Sequence, residues 1–252
     1  MPLPHEYSLQ DKVAVVTGGS SGIGAASARA LAQAGARVAV GYNKGRDRAE
    51  ALIKELPGTG HRAIHMRSED SATLRAAADE VRRAYGRADV LVNSAGFTKP
   101  IPHADLDALD DATFDAVMTA NVRGVFATIR AMTPLMRETG DATIVNISSI
   151  SGFTGGGSSI VYCASKGALD TMTLSLAKAL APQIRVVCVS PAAVATDFVE
   201  GRGRSQLEKI AQTTPLNRVM EAEDVALAVM AAVTHLRGAT GTRIVVDNGR
   251  HL

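Results

Sequence analysis

Seven short apolar runs punctuate this chain: KVAVVT (12–17), RVAVGY (37–42), RAIHM (62–66), DVLVN (89–93), ATIVNIS (142–148), IRVVCVS (184–190) and RIVV (243–246). They are rich in β-branched residues and lack clean alternation, which predicts strands buried on both faces of a parallel sheet. Between them lie alanine-rich segments of helical period, such as Ile23 to Ala34 and Leu74 to Tyr85. Strands alternating with helices predict a doubly wound α/β sheet with right-handed crossovers. A chain of 252 residues suits one large core, so a single domain over 1–252 is expected, with 1–8 as an N-terminal extension. No repeat, low-complexity tract or linker interrupts the pattern, and GRGRS (201–205) reads as a mobile surface loop.

The first strand runs straight into TGGSSGIG, Thr17 to Gly24, and then into a helix. The G-x-G-x-x-G fingerprint is absent, because the sixth position from Gly22 is Ser27. Gly18, Gly22 and Gly24 still permit a sharp turn and a close backbone approach to a pyrophosphate, with Ser20, Ser21 and Ile23 completing the turn. The phosphates would meet free N–H groups at the helix N-terminus. The stretch reads as the dinucleotide turn of a Rossmann fold, expected here with a seven-stranded parallel sheet flanked by helices; the plainer alternative is a glycine-rich βα turn that binds nothing.

At such sites an acid after the second strand binds the adenosine ribose. Here the strand ends in Gly41-Tyr42-Asn43-Lys44 with no Asp or Glu. Lys44 and Arg46 follow instead and can neutralise a 2′-phosphate, so the expected cofactor is NADP(H) in preference to NAD(H). The plainer alternative is that Lys44, Arg46 and Arg48 form a solvated helix start.

Strand 142–148 leads through Ser148-Ser149 and a glycine-rich loop to VYCASK (161–166), which sets Tyr162 and Lys166 on one face of a helix. Ligands of a parallel sheet sit beyond the carboxyl ends of its strands. Asn93, Ser149 and Pro191 all fall at such ends, beside the first-strand glycines.

Charge and cysteine usage exclude other classes. The net charge of +2, from 27 basic and 25 acidic residues, argues against nucleic acid or an anionic membrane as the main partner. Two cysteines, Cys163 and Cys188, give neither a disulfide framework nor metal-ligand spacing, so no metal is expected. MPLPHEYSLQD has no signal-peptide character, and the longest strongly apolar run, Val225 to Val233, is too short to span a bilayer. Asn146-Ile-Ser148 fits a glycosylation sequon but lies in a strand pattern. The expected location is the cytoplasm.

From about Leu9 to the C-terminus the chain resembles the short-chain dehydrogenase/reductase family. The matching motifs are TGGSSGIG (17–24), DVLVNSAG (89–96), NVRG (121–124), Ser149 thirteen residues before Tyr162, YCASK (162–166) and SPAAVAT (190–196). The 3-oxoacyl-carrier-protein reductase-like group is the nearest in flavour. The resemblance implies hydride transfer between nicotinamide and a carbonyl or secondary alcohol. It makes Tyr162 the general acid/base, its phenol tuned down by Lys166 and the cofactor. Lys166 would also bind the nicotinamide ribose, Ser149 the substrate oxygen, and Asn121 a water chain. Ser148 is the rival of Ser149, and Asn121 read alone is a structural hydrogen-bonder. The cofactor would also meet Tyr42, Asn43, Ser68, Asn93, Ala95, Gly96, Pro191, Val194 and Thr196.

Four positions depart from the family pattern: Ser94, Arg67, Ala192 and Asn248. Arg67 stands where an Asp usually meets the adenine. Ala192 replaces a glycine, which matters if that position needs positive φ or a close backbone approach to the nicotinamide. Asn248 is expected to be tolerated at a turn. Candidate substrate-pocket residues are Phe97, Ile150, Phe153, Val161, Ala193 and Phe198, under a lid at 197–214 with Gly201 and Gly203 as hinges. Arg123, Arg202 and Arg204 are candidates for a basic rim that would suit an acyl thioester on an acidic carrier protein. By the same resemblance the chain forms a homotetramer. The competing readings are an NAD-linked alcohol dehydrogenase and a non-catalytic nucleotide-binding redox sensor on the same fold.

Overall fold

The computed structural model describes residues 7–252, so all but the end of the 1–8 extension lies outside the described residues. The strands are β1 (Val13–Thr17), β2 (Arg37–Tyr42), β3 (Arg62–His65), β4 (Val90–Asn93), β5 (Ala142–Ile147), β6 (Ile184–Pro191) and β7 (Arg243–Val246). They form one parallel sheet in the order β3-β2-β1-β4-β5-β6-β7, the predicted doubly wound architecture. The chain crosses from β3 back to β4 beside β1, and a crevice opens beyond the carboxyl ends at that reversal.

Burial on both faces holds for β1, β4 and β5, whose residues are all buried. In β1, Ala14 and Val16 join one core layer while Val15 joins the opposite one. The first layer takes Leu31 from α1 (Gly22–Gln33), Leu52 from α2 (Arg46–Glu55) and Val229 from α9 (Ala222–Thr234). The second takes Leu74 from α3 (Ser71–Tyr85), Met132 from α5 (Gly124–Arg137) and Leu169 from α7 (Ile160–Leu180). The expectation fails at the two ends of the sheet. β3 and β7 are edge strands with several residues exposed, because helices do not cover both of their faces.

Local signals explain most boundaries. Asp70 accepts hydrogen bonds from Ala72 and Thr73, so α3 begins three residues before the first apolar position Leu74, and left-handed Gly86 ends it. Ser159 caps α7 by accepting from the Tyr162 N–H, which starts the helix just ahead of the tyrosine. Helix α4 (Asp111–Met118) continues into α5 through a π-helical turn at Thr119–Arg123, which carries Asn121. Such single turns recur at functional sites. Asn248 has φ of 56° and donates through its side chain to the Arg218 carbonyl. A left-handed turn explains why Asn stands where Gly is common.

Candidate active site

The crevice at the reversal point is a cleft of about 1520 Å³, larger than the ~300–1,000 Å³ of ordinary small-molecule pockets. One end is the first turn. Gly18 sits at φ 61°, where an added Cβ would lie 2.9 Å from the Ala95 backbone. A Cβ on Gly24 would lie 2.3 Å from the Gly18 carbonyl oxygen. Both positions therefore demand glycine, one for conformation and contact, the other for contact alone. Gly18, Ser20, Ser21, Gly22 and Ile23 line the cleft, whereas Gly24 lies beneath the turn. No side chain caps the N-terminus of α1, so its first N–H groups remain free for an anion. The Thr17 hydroxyl accepts from the Ser94 and Ala95 N–H groups and holds the β4 loop against the turn. This cradle fits a dinucleotide pyrophosphate.

Farther along, Asn43, Lys44 and Ser68 line the cleft and Tyr42 does not; its ring packs against His65. The basic residues divide differently from the sequence expectation. Arg46 is tied to Glu50 at 2.7 Å, one turn along the exposed face of α2, and stays out of the cleft. Arg48 lines it instead, with its guanidinium lying beside Gly45. Arg67 is exposed and outside the cleft.

At the other end stand the groups of β4, β5, β6 and α7. Ala95, Gly96, Pro191, Val194 and Thr196 line the cleft. Asn93 lies behind its wall, donating to Asn146 at 2.9 Å while its own Oδ1 has no protein partner. Ala192 has no positive φ, so the extra methyl brings no backbone strain; its N–H donates to the Val246 carbonyl, and the residue lines the cleft. Both serines line the cleft and differ in their partners. Ser148 is committed to the Asp170 carboxylate, to which it donates at 2.6 Å, whereas Ser149 accepts from the Ser151 N–H.

Lys166 is buried, and its ammonium donates to the Ile147 carbonyl at 2.8 Å, 5.6 Å from the centre of the Tyr162 ring. Burial pulls the ammonium down to about 8, against the opposing pull of Asp170. The Tyr162 phenol moves the other way. Its burial pushes it up to about 12, although the Ser149 hydroxyl and the Arg202 guanidinium pull downward. The protein's own groups therefore do not deliver the lowered phenol expected from Lys166, because desolvation outweighs them.

Asn121 accepts from the Phe97 N–H at 2.8 Å and donates to the Phe97 carbonyl and to Ser165. Ser165 in turn donates to the Tyr162 carbonyl. Asn121 thus braces the β4 loop against α7.

Of the candidate pocket residues, Phe97, Ile150, Ala193 and Phe198 line the cleft. Val161 is wholly buried core. Phe153, on the short helix α6 (Ser151–Thr154), faces away and packs against Arg243 and His251. Of the candidate rim arginines, only Arg202 reaches the cleft; Arg204 pairs with Glu221 and Arg123 donates to the Glu69 carbonyl. Segment 197–214 carries α8 (Arg204–Gln212), whose Ile210 faces the cleft. Gly201 is left-handed at φ 75°, but Gly203 caps α8 at φ −84°, a conformation open to any residue.

The sequence reading missed the C-terminal turn, where Arg250 and His251 line the cleft and Arg250 donates to Thr213. It also missed Asp170, held by Arg243 through two hydrogen bonds of 3.0 and 2.6 Å. The i,i+4 spacing from Lys166 was the available signal for Asp170.

Among the described residues no group of His, Cys, Asp and Glu could hold a metal ion, and no helix is long and apolar enough to cross a membrane.

Comparison with known proteins matches residues 18–251 to the family described as Enoyl-(Acyl carrier protein) reductase. A protein of Streptomyces violaceoruber, named as ketoacyl reductase 2 of the granaticin polyketide synthase, is 38% identical, covering 95% of this chain and 96% of its own. The 3-oxoacyl-[acyl-carrier-protein] reductase FabG of Thermotoga maritima is 34% identical over 96% of this chain and 98% of its own. The crystal structure of a dehydrogenase/reductase from Sinorhizobium meliloti 1021 superposes with a TM-score of 0.88 at 33% identity, covering 98% of each chain.

Proposed function

The chain belongs to the short-chain dehydrogenase/reductase family of NAD(P)(H) oxidoreductases acting on CH–OH and carbonyl groups, and from that premise we propose that it is an NADP(H)-linked carbonyl reductase with Tyr162 as its acid. The observation that carries this reading is the meeting of Ser149, Tyr162 and Lys166 in the cleft that begins at the glycine turn. When bound, the nicotinamide supplies the hydride.

The protein's part is proton handling and positioning. Ser149 offers its hydroxyl to the substrate oxygen. Tyr162, protonated across the neutral range because its phenol lies near 12, is poised to give that oxygen its proton. Lys166 sits behind the ring as a cation below about pH 8, stabilising the phenolate that the transfer leaves. Asn121 keeps the Phe97 loop and α7 in register. Lys44 and Arg48 favour a cofactor that carries a 2′-phosphate.

A substrate lid at 197–214 and a homotetrameric, cytoplasmic enzyme are parts of the same proposal. Exposed Phe114, Phe126 and Leu174, on α4, α5 and α7, support assembly through those helices. The test is a titration with NADPH and NADH, followed by a carbonyl panel. NADPH binding tighter by about tenfold, or ~1.4 kcal/mol, is expected. Equal or reversed affinities would favour an NAD-linked alcohol dehydrogenase. Cofactor binding without turnover of any carbonyl would favour the sensor.

A further inference from the structure

We propose that Arg202 selects substrates carrying a carboxylate close to the reacting carbonyl, an inference that rests on the function proposed above. Arg202 stands at the start of the lid, half-buried, with its side chain on the cleft wall. Among the described residues its guanidinium has neither an ion pair nor a hydrogen bond. Neighbouring arginines are engaged: Arg204 with Glu221, Arg218 with Asp224, and Arg250 with Thr213.

The contrast matters because a partly desolvated cation without a counterion is costly, and its usual remedy is an acid nearby. The carboxylates on the cleft wall are Glu69, beside Ser68 at the adenosine end, and exposed Asp197; neither pairs with Arg202. His251, also on the wall, is committed to Asp247. A ligand is left to supply the negative charge.

Two features place that charge. Phe198, four residues before Arg202, packs its ring 5.9 Å from that of Tyr162, and both residues share the cleft wall with Arg202, so the anion belongs to the reacting end of the ligand. Cofactor phosphates have their own cradle at the α1 N-terminus, with Lys44 and Arg48 farther along. A guanidinium offers two parallel N–H donors, the pattern that matches a carboxylate. An oxo acid, its carboxylate on Arg202 and its carbonyl oxygen at Ser149 and Tyr162, satisfies all of these groups at once. A neutral acyl chain leaves Arg202 unpaired.

Acetoacetate and methyl acetoacetate differ in charge at nearly constant shape and serve as probes. Turnover with NADPH is measured for the wild type, Arg202→Lys and Arg202→Met. Binding to the protein–NADPH complex is followed in parallel by NADPH fluorescence, so the result does not depend on turnover. Loss of a charge-assisted hydrogen bond weakens the interaction by about 10- to 100-fold. Arg202→Met is therefore expected to raise the KM and Kd for the acid by that factor, with the ester changed less than about twofold and Arg202→Lys intermediate.

Equal losses for acid and ester would overturn the proposal and leave Arg202 as a tuner of Tyr162. Weaker NADPH binding with an unchanged acid-to-ester ratio would also overturn it, placing the guanidinium on the cofactor. Ester turnover that disappears in Tyr162→Phe shows the carbonyl reductase reading standing even where the Arg202 inference falls.

Discussion

The two ends of the cleft are built on opposite principles. At the reacting end Lys166, Ser149, Asn121 and Asp170 are all buried, and each is held by partners inside the chain. At the adenosine end the glycine turn is fixed by backbone contact, but its charge comes from Lys44 and Arg48 on the outer surface. A buried network sets chemistry and tolerates little change, because each unpaired group costs its full desolvation. The surface cations, proposed to set cofactor preference, can be exchanged singly with little effect on the fold.

Tyr162→Phe should break the contrast most sharply. It removes the proposed acid but no core packing, so kcat/KM should fall by about 10³-fold with NADPH affinity unchanged, read by steady-state kinetics and fluorescence titration. Lys166→Met comes next, with a loss of about 10²-fold in carbonyl reduction. Its pH profile is diagnostic. The ammonium is lowered to about 8, so it is charged below that pH and neutral above it. Wild-type reduction should therefore decline as pH rises through about 8, and the variant should lose that limb.

Gly24→Ala tests the backbone half of the adenosine end. The new methyl would meet the Gly18 carbonyl, and overpacking of this kind costs about 1–3 kcal/mol, measurable by thermal unfolding together with weakened binding of both cofactors. Lys44→Ala and Arg48→Ala should each weaken NADPH binding by about tenfold and leave NADH unchanged. Arg46→Ala should do almost nothing to either, since Arg46 spends its charge on Glu50 at the surface.

Much of this was legible in the sequence, for identifiable reasons. Strands buried on both faces announce a parallel sheet, and only the edges β3 and β7 escaped that rule. Tyr162 and Lys166 were legible because one helical turn fixes their relation, whereas Ser149 was preferred to Ser148 only by its spacing of thirteen residues from Tyr162. The choice between Arg46 and Arg48 was not legible. It depends on which face of α2 turns to the cleft, and on a Glu50 that competes for one of them.

Phe153 and Val161 were misplaced for a similar reason. Both flank the motif in sequence, yet Phe153 turns toward Arg243, and Val161, one residue before Tyr162, points into the core. Arg250 and His251 lie 84 or more residues beyond Lys166 in the chain, and only the register of β7 beside β6 brings them to the cleft.

The anchor of Lys166 has an evolutionary consequence. Its ammonium is held by the carbonyl of Ile147, a main-chain oxygen that every amino acid supplies. Replacing the residue at 147 alters the apolar contact but leaves the acceptor in place. The anchor is lost only if β5 slips against its neighbours, and the pairing of Ile147 with Val189 opposes that slip. Position 147 is therefore a place where lineages, or a mutational library, can vary the cleft floor without disturbing the lysine.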